Sequence, residues 1–187
     1  MLIIFDLDGT LVKLDDLQFA AYDATLAYFD IDYDLRHMGL GSSIYKKMDK
    51  LKSLGYDFDT SEFKVYRDQW VANNVGYYLE YSSELFSEIS RLATHHVLCI
   101  ATNAGRPYTL SVCDILKITP FIKVINTIDE FKPKPAPDMF INCIEKYTMD
   151  AIIFEDSDTG ISAALQTNAQ LIQVTSPSDT IHSLKSL

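Results

Sequence analysis

Short runs of apolar, strand-forming residues recur along the chain, and segments with helical periodicity separate the later ones. The runs that predict strands cover residues 2–5, 97–101, 123–126, 151–154 and 171–174. Helical patterns cover residues 84–93, 109–116, 138–146 and 160–167. Strands that alternate with helices in this way favour parallel β-α-β units joined by right-handed crossovers.

A long stretch after the first strand has a different pattern, with apolar residues at helical spacing and no convincing strand. Three helices are predicted there: the first from residue 14, a second capped by Ser42 or Ser43, and a third that begins near Asp59. We therefore predict an α/β fold in two parts. Residues 1–13 and 81–187 form a Rossmann-like parallel-sheet core, and residues 14–80 form a small helical insertion.

The composition is that of an ordinary globular domain, with 48% apolar and 22% charged residues. The formal net charge of -10 disfavours a nucleic-acid partner, because binding to a phosphate backbone depends on clustered Lys and Arg. The same charge would repel a phosphorylated substrate. A bound cation and a well-placed lysine would have to reverse the field locally.

We expect a soluble, cytoplasmic protein without a membrane segment or an obligate protein partner. The N-terminal apolar run is short and lacks a basic leader, and no segment approaches the roughly 20 apolar residues of a membrane span. The three cysteines, Cys99, Cys113 and Cys143, lack metal-finger spacing and are expected to be reduced.

Two aspartates directly follow the first strand. Residues two apart in an extended segment point to the same side, so Asp6 and Asp8 can present both carboxylates to one space. Two anions held together need a cation. Ligands in open α/β sheets usually bind beyond the carboxyl ends of the strands, so position and charge both indicate a metal-dependent site.

Three later segments carry polar residues at similar positions. Thr102 and Asn103 end the second strand, where a hydroxyl and an amide suit phosphoryl oxygens. Three prolines make a stiff loop around Lys134, and Asp138 is predicted to cap the following helix. A further apolar strand ends in carboxylates, those of Glu155, Asp156 and Asp158.

These four segments resemble, in order, the motifs of the haloacid dehalogenase superfamily, in its phosphatase and phosphomutase branches. Residues 5–11 have the sequence Phe-Asp-Leu-Asp-Gly-Thr-Leu, which is similar to the first motif. Thr102 and Asn103 resemble the second motif, residues 134–138 the third, and the acidic segment after residue 154 the fourth. The resemblance implies that the helical insertion is a cap that closes over the site and helps to select substrate.

The resemblance also implies roles for individual residues around a Mg²⁺ ion. Asp6, the backbone carbonyl of Asp8, and Asp156 would hold the metal. Asp6 would attack phosphorus to form an aspartyl-phosphate, and Asp8 would act as general acid and base. Lys134 would neutralise charge on the transferring group, whose oxygens Thr102 and Asn103 would also bind. Glu155 or Asp158 would support the metal from its outer shell.

The predicted function is a Mg²⁺-dependent phosphatase of a small phosphorylated metabolite. A phosphomutase similar to β-phosphoglucomutase is an alternative that the first and fourth motifs suit equally. A phospho-accepting signalling module is a third, non-enzymatic alternative, because bacterial receiver domains share this chemistry. Several insertion residues are candidates for substrate contact, although most such side chains simply face water or the core: Arg36, His37, Tyr45, Lys46, Lys47, Arg67 and Trp70.

Overall fold

The computed structural model describes residues 1–39 and 43–187 and contains a five-stranded parallel sheet. The strands are β1 (Leu2–Phe5), β2 (Val97–Thr102), β3 (Ile122–Thr127), β4 (Ala151–Glu155) and β5 (Gln170–Gln173). Their order in the sheet is β3-β2-β1-β4-β5, so the N-terminal strand lies in the centre. The predicted α/β fold class is confirmed.

Eight α-helices and two short 3-10 helices accompany the strands within the described ranges. The α-helices are α1 (Asp15–Tyr28), α2 (Ile44–Ser53), α3 (Thr60–Tyr78), α4 (Ser83–Leu92), α5 (Arg106–Ile115), α6 (Asp138–Tyr147), α7 (Asp158–Ala164) and α8 (Pro177–Leu184). The 3-10 helices are Arg36–Met38 and Thr119–Phe121. Two compact units result: a sheet unit of Met1–Lys13 with Leu79–Leu187, and a helical unit of Leu14–Tyr78.

The central strand is apolar because both of its faces are covered. Leu2 and Ile4 pack in one cluster with Phe140 of α6, while Ile3 and Phe5 point to the other face and are equally buried. In the register of the sheet, Phe5 pairs with Ile100 of β2 on one side and with Phe154 of β4 on the other. The carboxyl ends of the three central strands therefore lie side by side, together with the polar residues that follow them.

The helical unit has a core of its own, in which Leu51 and Phe63 are completely buried. Its helix starts follow the predicted capping chemistry. The Ser43 hydroxyl accepts a hydrogen bond from the Lys46 N–H at 3.3 Å, and the Asp59 carboxylate accepts one from the Glu62 N–H at 2.8 Å. The alternative cap, Ser42, lies outside the described residues.

Several helix starts in the sheet unit differ from the prediction. Helix α5 begins at Arg106, three residues before the predicted start, and Pro107 is tolerated in this first turn, where its missing N–H is not needed. Asp138 makes no capping hydrogen bond, since Pro137 occupies the N-cap of α6. Helix α7 runs from Asp158 to Ala164, earlier than the predicted segment 160–167.

A C-terminal helix was not predicted after the last strand. Ser176 caps α8 by accepting a hydrogen bond from the Asp179 N–H at 3.3 Å. From this helix the buried Thr180 hydroxyl donates to the backbone carbonyl of Thr10 at 2.7 Å. The short tail thus fixes the loop that follows β1. No helix in the described ranges combines the length and apolar character of a membrane span.

The helical unit buries one lysine. Lys47 is 1% exposed, donates to the Gly39 carbonyl at 2.7 Å, and lies 5.0 Å from the centre of the Tyr22 ring. Burial, with a smaller contribution from the Arg67 charge, lowers the pKa of Lys47 to about 8. The unfolded chain keeps this amine protonated to higher pH. The folded protein therefore gains stability as pH rises above about 8.

We predict that the free energy of unfolding of the native protein, relative to that of Lys47→Met, increases between about pH 8 and the pKa of a free lysine near 10.4. Urea denaturation at a series of pH values measures this difference. Lys46→Met is the matched control, because Lys46 is the exposed neighbour in the same helix. Equal pH dependence of the two variants, or a difference for Lys47→Met that stays constant with pH, would contradict the prediction.

Candidate active site

A buried ion cluster lies where β1 and β4 end. The Asp6 N–H donates to the Phe154 carbonyl at 3.0 Å, which continues the pairing of the two strands by one residue. The Lys134 ammonium donates to Oδ1 of Asp6 and to Oε2 of Glu155, both at 2.6 Å. The side chain of Lys134 is 2% exposed and that of Glu155 is 0% exposed. Sequence positions 6, 134 and 155 thus meet at one point.

Burial and charge shift the pKa values of this cluster in one direction. Burial raises the pKa of Asp6 well above its usual range, an effect that Lys134 opposes and the Glu155 charge reinforces. Burial also raises the pKa of Asp156. For Lys134, burial works to lower the pKa, but the charges of Asp6 and Glu155 outweigh it, so the pKa is raised. The Lys134 ammonium is therefore charged. Its single positive charge does not compensate for the burial of the neighbouring carboxyl groups, whose pKa values stay raised.

Glu155 is held on both of its oxygens. While Oε2 accepts from Lys134, Oε1 accepts from the backbone N–H groups of Asp156 and Ser157 at 3.1 and 3.0 Å and from the Ser157 hydroxyl at 2.9 Å. Gly160 of α7 lies against this side chain, and a Cβ there would be 1.9 Å from its Cδ. The Glu155 carboxylate is therefore fixed by hydrogen bonds on both oxygens and by its contact with α7. Through Oε2 it holds the Lys134 ammonium in place.

The loop that carries Lys134 is fixed from β2. The side chain of Asn103 accepts from the Lys134 backbone N–H at 2.8 Å and donates to the Lys134 carbonyl at 3.3 Å. Thr102 is buried, and its hydroxyl accepts from the Ala104 N–H at 3.0 Å. The neighbouring Lys132 is mostly exposed, and its ammonium lies 3.9 Å from Asp138, outside the site.

Asp156 approaches the loop after β1. Its Oδ1 accepts from the Thr10 hydroxyl at 3.0 Å. Gly9 has a φ of +94°, and a Cβ at this position would lie 2.0 Å from the second oxygen of Asp156. Only glycine fits there, because both the backbone conformation and the contact exclude a side chain. The sequence Asp8-Gly9-Thr10 thus lets the carboxylate of Asp156 approach the backbone.

Asp8 lies beside a tyrosine. The hydroxyl of Tyr108, in the first turn of α5, donates to Oδ1 of Asp8 at 2.5 Å. Asp8 itself is partly exposed, whereas Tyr108 is 5% exposed. Tyr108 was not among the predicted site residues, because a tyrosine inside a helical pattern carries no signal that distinguishes it from a core residue.

Three carboxylates could hold a metal ion together. One oxygen each from Asp6, Glu155 and Asp156 can be chosen so that all lie within 4.8 Å of one another. Hard divalent cations such as Mg²⁺ prefer oxygen ligands of this kind, and one ammonium does not balance three carboxylates. The donor set therefore fits a divalent cation. Asp158 is exposed in the first turn of α7 and is not part of this cluster.

The candidate residues of the helical unit mostly have partners within that unit. Arg36 pairs with Asp23, and His37 is hydrogen-bonded to the Tyr33 hydroxyl at 2.9 Å. Arg67 donates to Gln18 and to Asp68. The remaining candidates differ in exposure, since Tyr45 and Lys46 are exposed, Trp70 is half-buried and Lys47 is buried. A role for any of them in substrate selection remains a prediction.

Residues 3–174 match the family model of the haloacid dehalogenase-like hydrolases. The chain belongs to this family. A relative from Haemophilus influenzae, described only as an uncharacterized protein, is 22% identical over 182 residues, which cover 92% of this chain and 90% of the relative. The predicted resemblance is confirmed at the level of the family.

Solved structures of family members show the same fold. CbbY from Rhodobacter sphaeroides in complex with phosphate is 18% identical, with a TM-score of 0.76, over 91% of this chain and 84% of that chain. A mutant of CbbY in complex with xylulose-1,5-bisphosphate is 19% identical, with the same TM-score and coverage. β-Phosphoglucomutase from Clostridium difficile is 17% identical, with a TM-score of 0.73, over 95% and 86% of the two chains.

We predict that Gly160→Ala destabilises the protein, because the added methyl group overlaps a carboxylate that cannot move. Overpacking of this kind costs about 1–3 kcal/mol. Gly76→Ala is the matched control, since Gly76 lies in α3 with no atom within 4 Å of its added Cβ. That change should stabilise the protein by about 0.5–1 kcal/mol through helix propensity.

Urea denaturation of the two glycine variants measures both effects. Equal shifts in the two variants, or a gain in stability for Gly160→Ala, would mean that Glu155 is not fixed against α7.

Proposed function

We propose that this protein is a Mg²⁺-dependent phosphatase that hydrolyses a small phosphorylated metabolite through an aspartyl-phosphate on Asp6. The observation that carries the proposal is the buried contact of Asp6 with Lys134 at the carboxyl ends of the central strands. Burial of a carboxylate is costly, and a buried carboxylate with a perturbed pKa at the ligand-binding end of a parallel sheet is a candidate functional residue. Family membership supports hydrolysis as the reaction class.

Asp6 and Asp156 would hold the metal through their carboxylates, and Asp8 through its backbone carbonyl. Glu155 would stay in the outer shell, because its oxygens already accept hydrogen bonds from Lys134, Asp156 and Ser157. When bound, Mg²⁺ supplies positive charge that lowers the pKa of the acids and stabilises charge on the transferring group. This accounts for a cluster whose acids otherwise have raised pKa values.

In the first step, an ionised Asp6 oxygen attacks phosphorus, and the bond between phosphorus and the leaving oxygen breaks. Asp8, two residues along the same loop, gives its proton to the leaving oxygen. In the second step, water attacks the aspartyl-phosphate, Asp8 takes a proton from that water, and Asp6 is released with inorganic phosphate. Asp8 therefore regains in the second step the proton that it gave up in the first.

Lys134, Thr102 and Asn103 would neutralise and position the transferring phosphoryl group. The Lys134 ammonium lies against Asp6 and would neutralise the oxygens of the transferring group. Thr102 and Asn103 end the adjacent strand and would bind the same oxygens. Asn103 also fixes the backbone of Lys134, which gives this amide a second, structural use.

A small phosphorylated substrate is supported by two structures of one relative, CbbY, which contain phosphate and xylulose-1,5-bisphosphate. The negative net charge argues against polymeric nucleic acids. Cys99, Cys113 and Cys143 are buried and free, which supports a reducing, cytoplasmic setting.

We predict that Asp6→Asn abolishes phosphate release and that Asp8→Asn strongly reduces it, while both variants keep the fold intact. Phosphate release is measured across a panel of sugar phosphates and other small phosphate esters, with and without Mg²⁺. The loss for Asp8→Asn should be about 10²-fold or more, as is typical for a general acid or base. Asp150→Asn is the control, because Asp150 is exposed and precedes β4 at the opposite end of the sheet.

Two results would contradict the proposal. Turnover by Asp6→Asn at the native rate would show that Asp6 is not the nucleophile. Full activity after removal of divalent cations would show that the reaction does not need a metal. Conversion of one sugar phosphate into its isomer without release of phosphate would identify the phosphomutase alternative instead.

A further inference from the structure

The hydroxyl of Tyr108 is directed at the carboxylate that the proposed reaction uses as acid and base. It lies 2.5 Å from Oδ1 of Asp8, although the two residues are 100 positions apart in sequence. A buried tyrosine hydroxyl needs a hydrogen-bond partner, and carboxylates accept the stronger bonds. The contact therefore restricts the orientation of the Asp8 side chain, which is otherwise partly exposed on a loop.

The position of Tyr108 is fixed by the start of α5. Arg106 donates from its backbone N–H to Asp129 at 2.7 Å and from its guanidinium to the Ile125 carbonyl at 2.7 Å. The Thr109 hydroxyl donates to the Gly105 carbonyl at 2.9 Å. These contacts join the first turn of the helix to β3 and the loop after it. The backbone that carries Tyr108 is thus fixed by the fold, and its side chain is 5% exposed.

We infer that Tyr108 is a positioning residue, which holds the Asp8 carboxyl in the orientation that delivers a proton to the leaving oxygen. This inference rests on the proposed function, since it assigns a partner to the acid of that reaction. Orientation of a reacting group in this way is a recognised source of rate enhancement.

The inference predicts that the effect of Tyr108→Phe depends on the leaving group. An alkyl phosphate such as glycerol 2-phosphate releases an alkoxide that needs a proton, so kcat/KM should fall by about 10-fold or more, part of the 10²–10⁴ that acid catalysis contributes. 4-Nitrophenyl phosphate releases a stable phenolate without a proton. Its kcat/KM, which reports the first step, should change by less than about 3-fold, because the acid contributes little to that step.

Two further variants separate positioning from a loss of packing. Tyr108→Phe should add no further loss in an Asp8→Asn background, because residues that act as one unit are not additive. Tyr147→Phe, which removes a hydroxyl from a half-buried tyrosine of α6, should change neither ester. Thermal unfolding of each variant checks that the sheet unit remains folded.

Equal losses with the two esters, no loss with either, or losses that multiply with Asp8→Asn would each overturn the role of Tyr108. These results differ from failure of the proposed function, in which the native protein releases no phosphate from either ester or does so independently of Asp6. In that case the inference is overturned together with the function on which it rests.

Discussion

The pair of hydrogen bonds from the Lys134 ammonium to Asp6 and Glu155 is the interaction on which the site depends. A buried charge without a partner is costly, and removal of one partner from a buried ion pair typically costs about 3–5 kcal/mol. The Lys134 charge is therefore tolerated only while a carboxylate accepts a hydrogen bond from it. The fold brings the ammonium to Asp6 from a loop that lies far away in sequence.

The surrounding structure serves this contact at several levels. The parallel register aligns the ends of β1 and β4, so that Asp6 and Glu155 lie side by side without strain in either strand. Asn103 fixes the backbone that carries the lysine, and Ser157 fixes the far oxygen of Glu155. Gly9 and Gly160 leave room for two carboxylates at distances that any side chain would block. The two glycines and the hydrogen bonds of Asn103 and Ser157 thus set the positions of the charged groups.

Much of this arrangement could be predicted from sequence, because it follows from the periodicity of strands and from acids at strand ends. The alternation of strands and helices predicts the parallel sheet. The position of Asp6 directly after an apolar run predicts that it lies at the carboxyl end of a strand. Spacing alone cannot show that Tyr108 faces Asp8 or that Thr180 of α8 binds the loop after β1. Both contacts join residues more than 90 positions apart through ordinary core-type side chains, so no local pattern marks them.

The differences at helix starts have a common physical cause. Local propensity predicts where a helix can begin, but the first turn of α5 is set by contacts of Arg106 with Asp129 and with β3. Similarly, Asp158 follows an apolar strand, as the clustered acids Asp6 and Asp156 do, yet it begins α7 and stays exposed. Its carboxylate complements the helix dipole there. Proximity in sequence to the acidic cluster therefore does not ensure a place in it.

The most direct test of this account is a double-mutant cycle on Lys134→Met and Glu155→Gln, measured as free energies of unfolding. If the ammonium and the carboxylate stabilise each other, each single change costs several kcal/mol and the double change costs less than their sum, by about 0.5–3 kcal/mol. Costs that add to within about 0.5 kcal/mol would show that the two groups do not depend on each other, which would contradict the central role of the buried ion cluster.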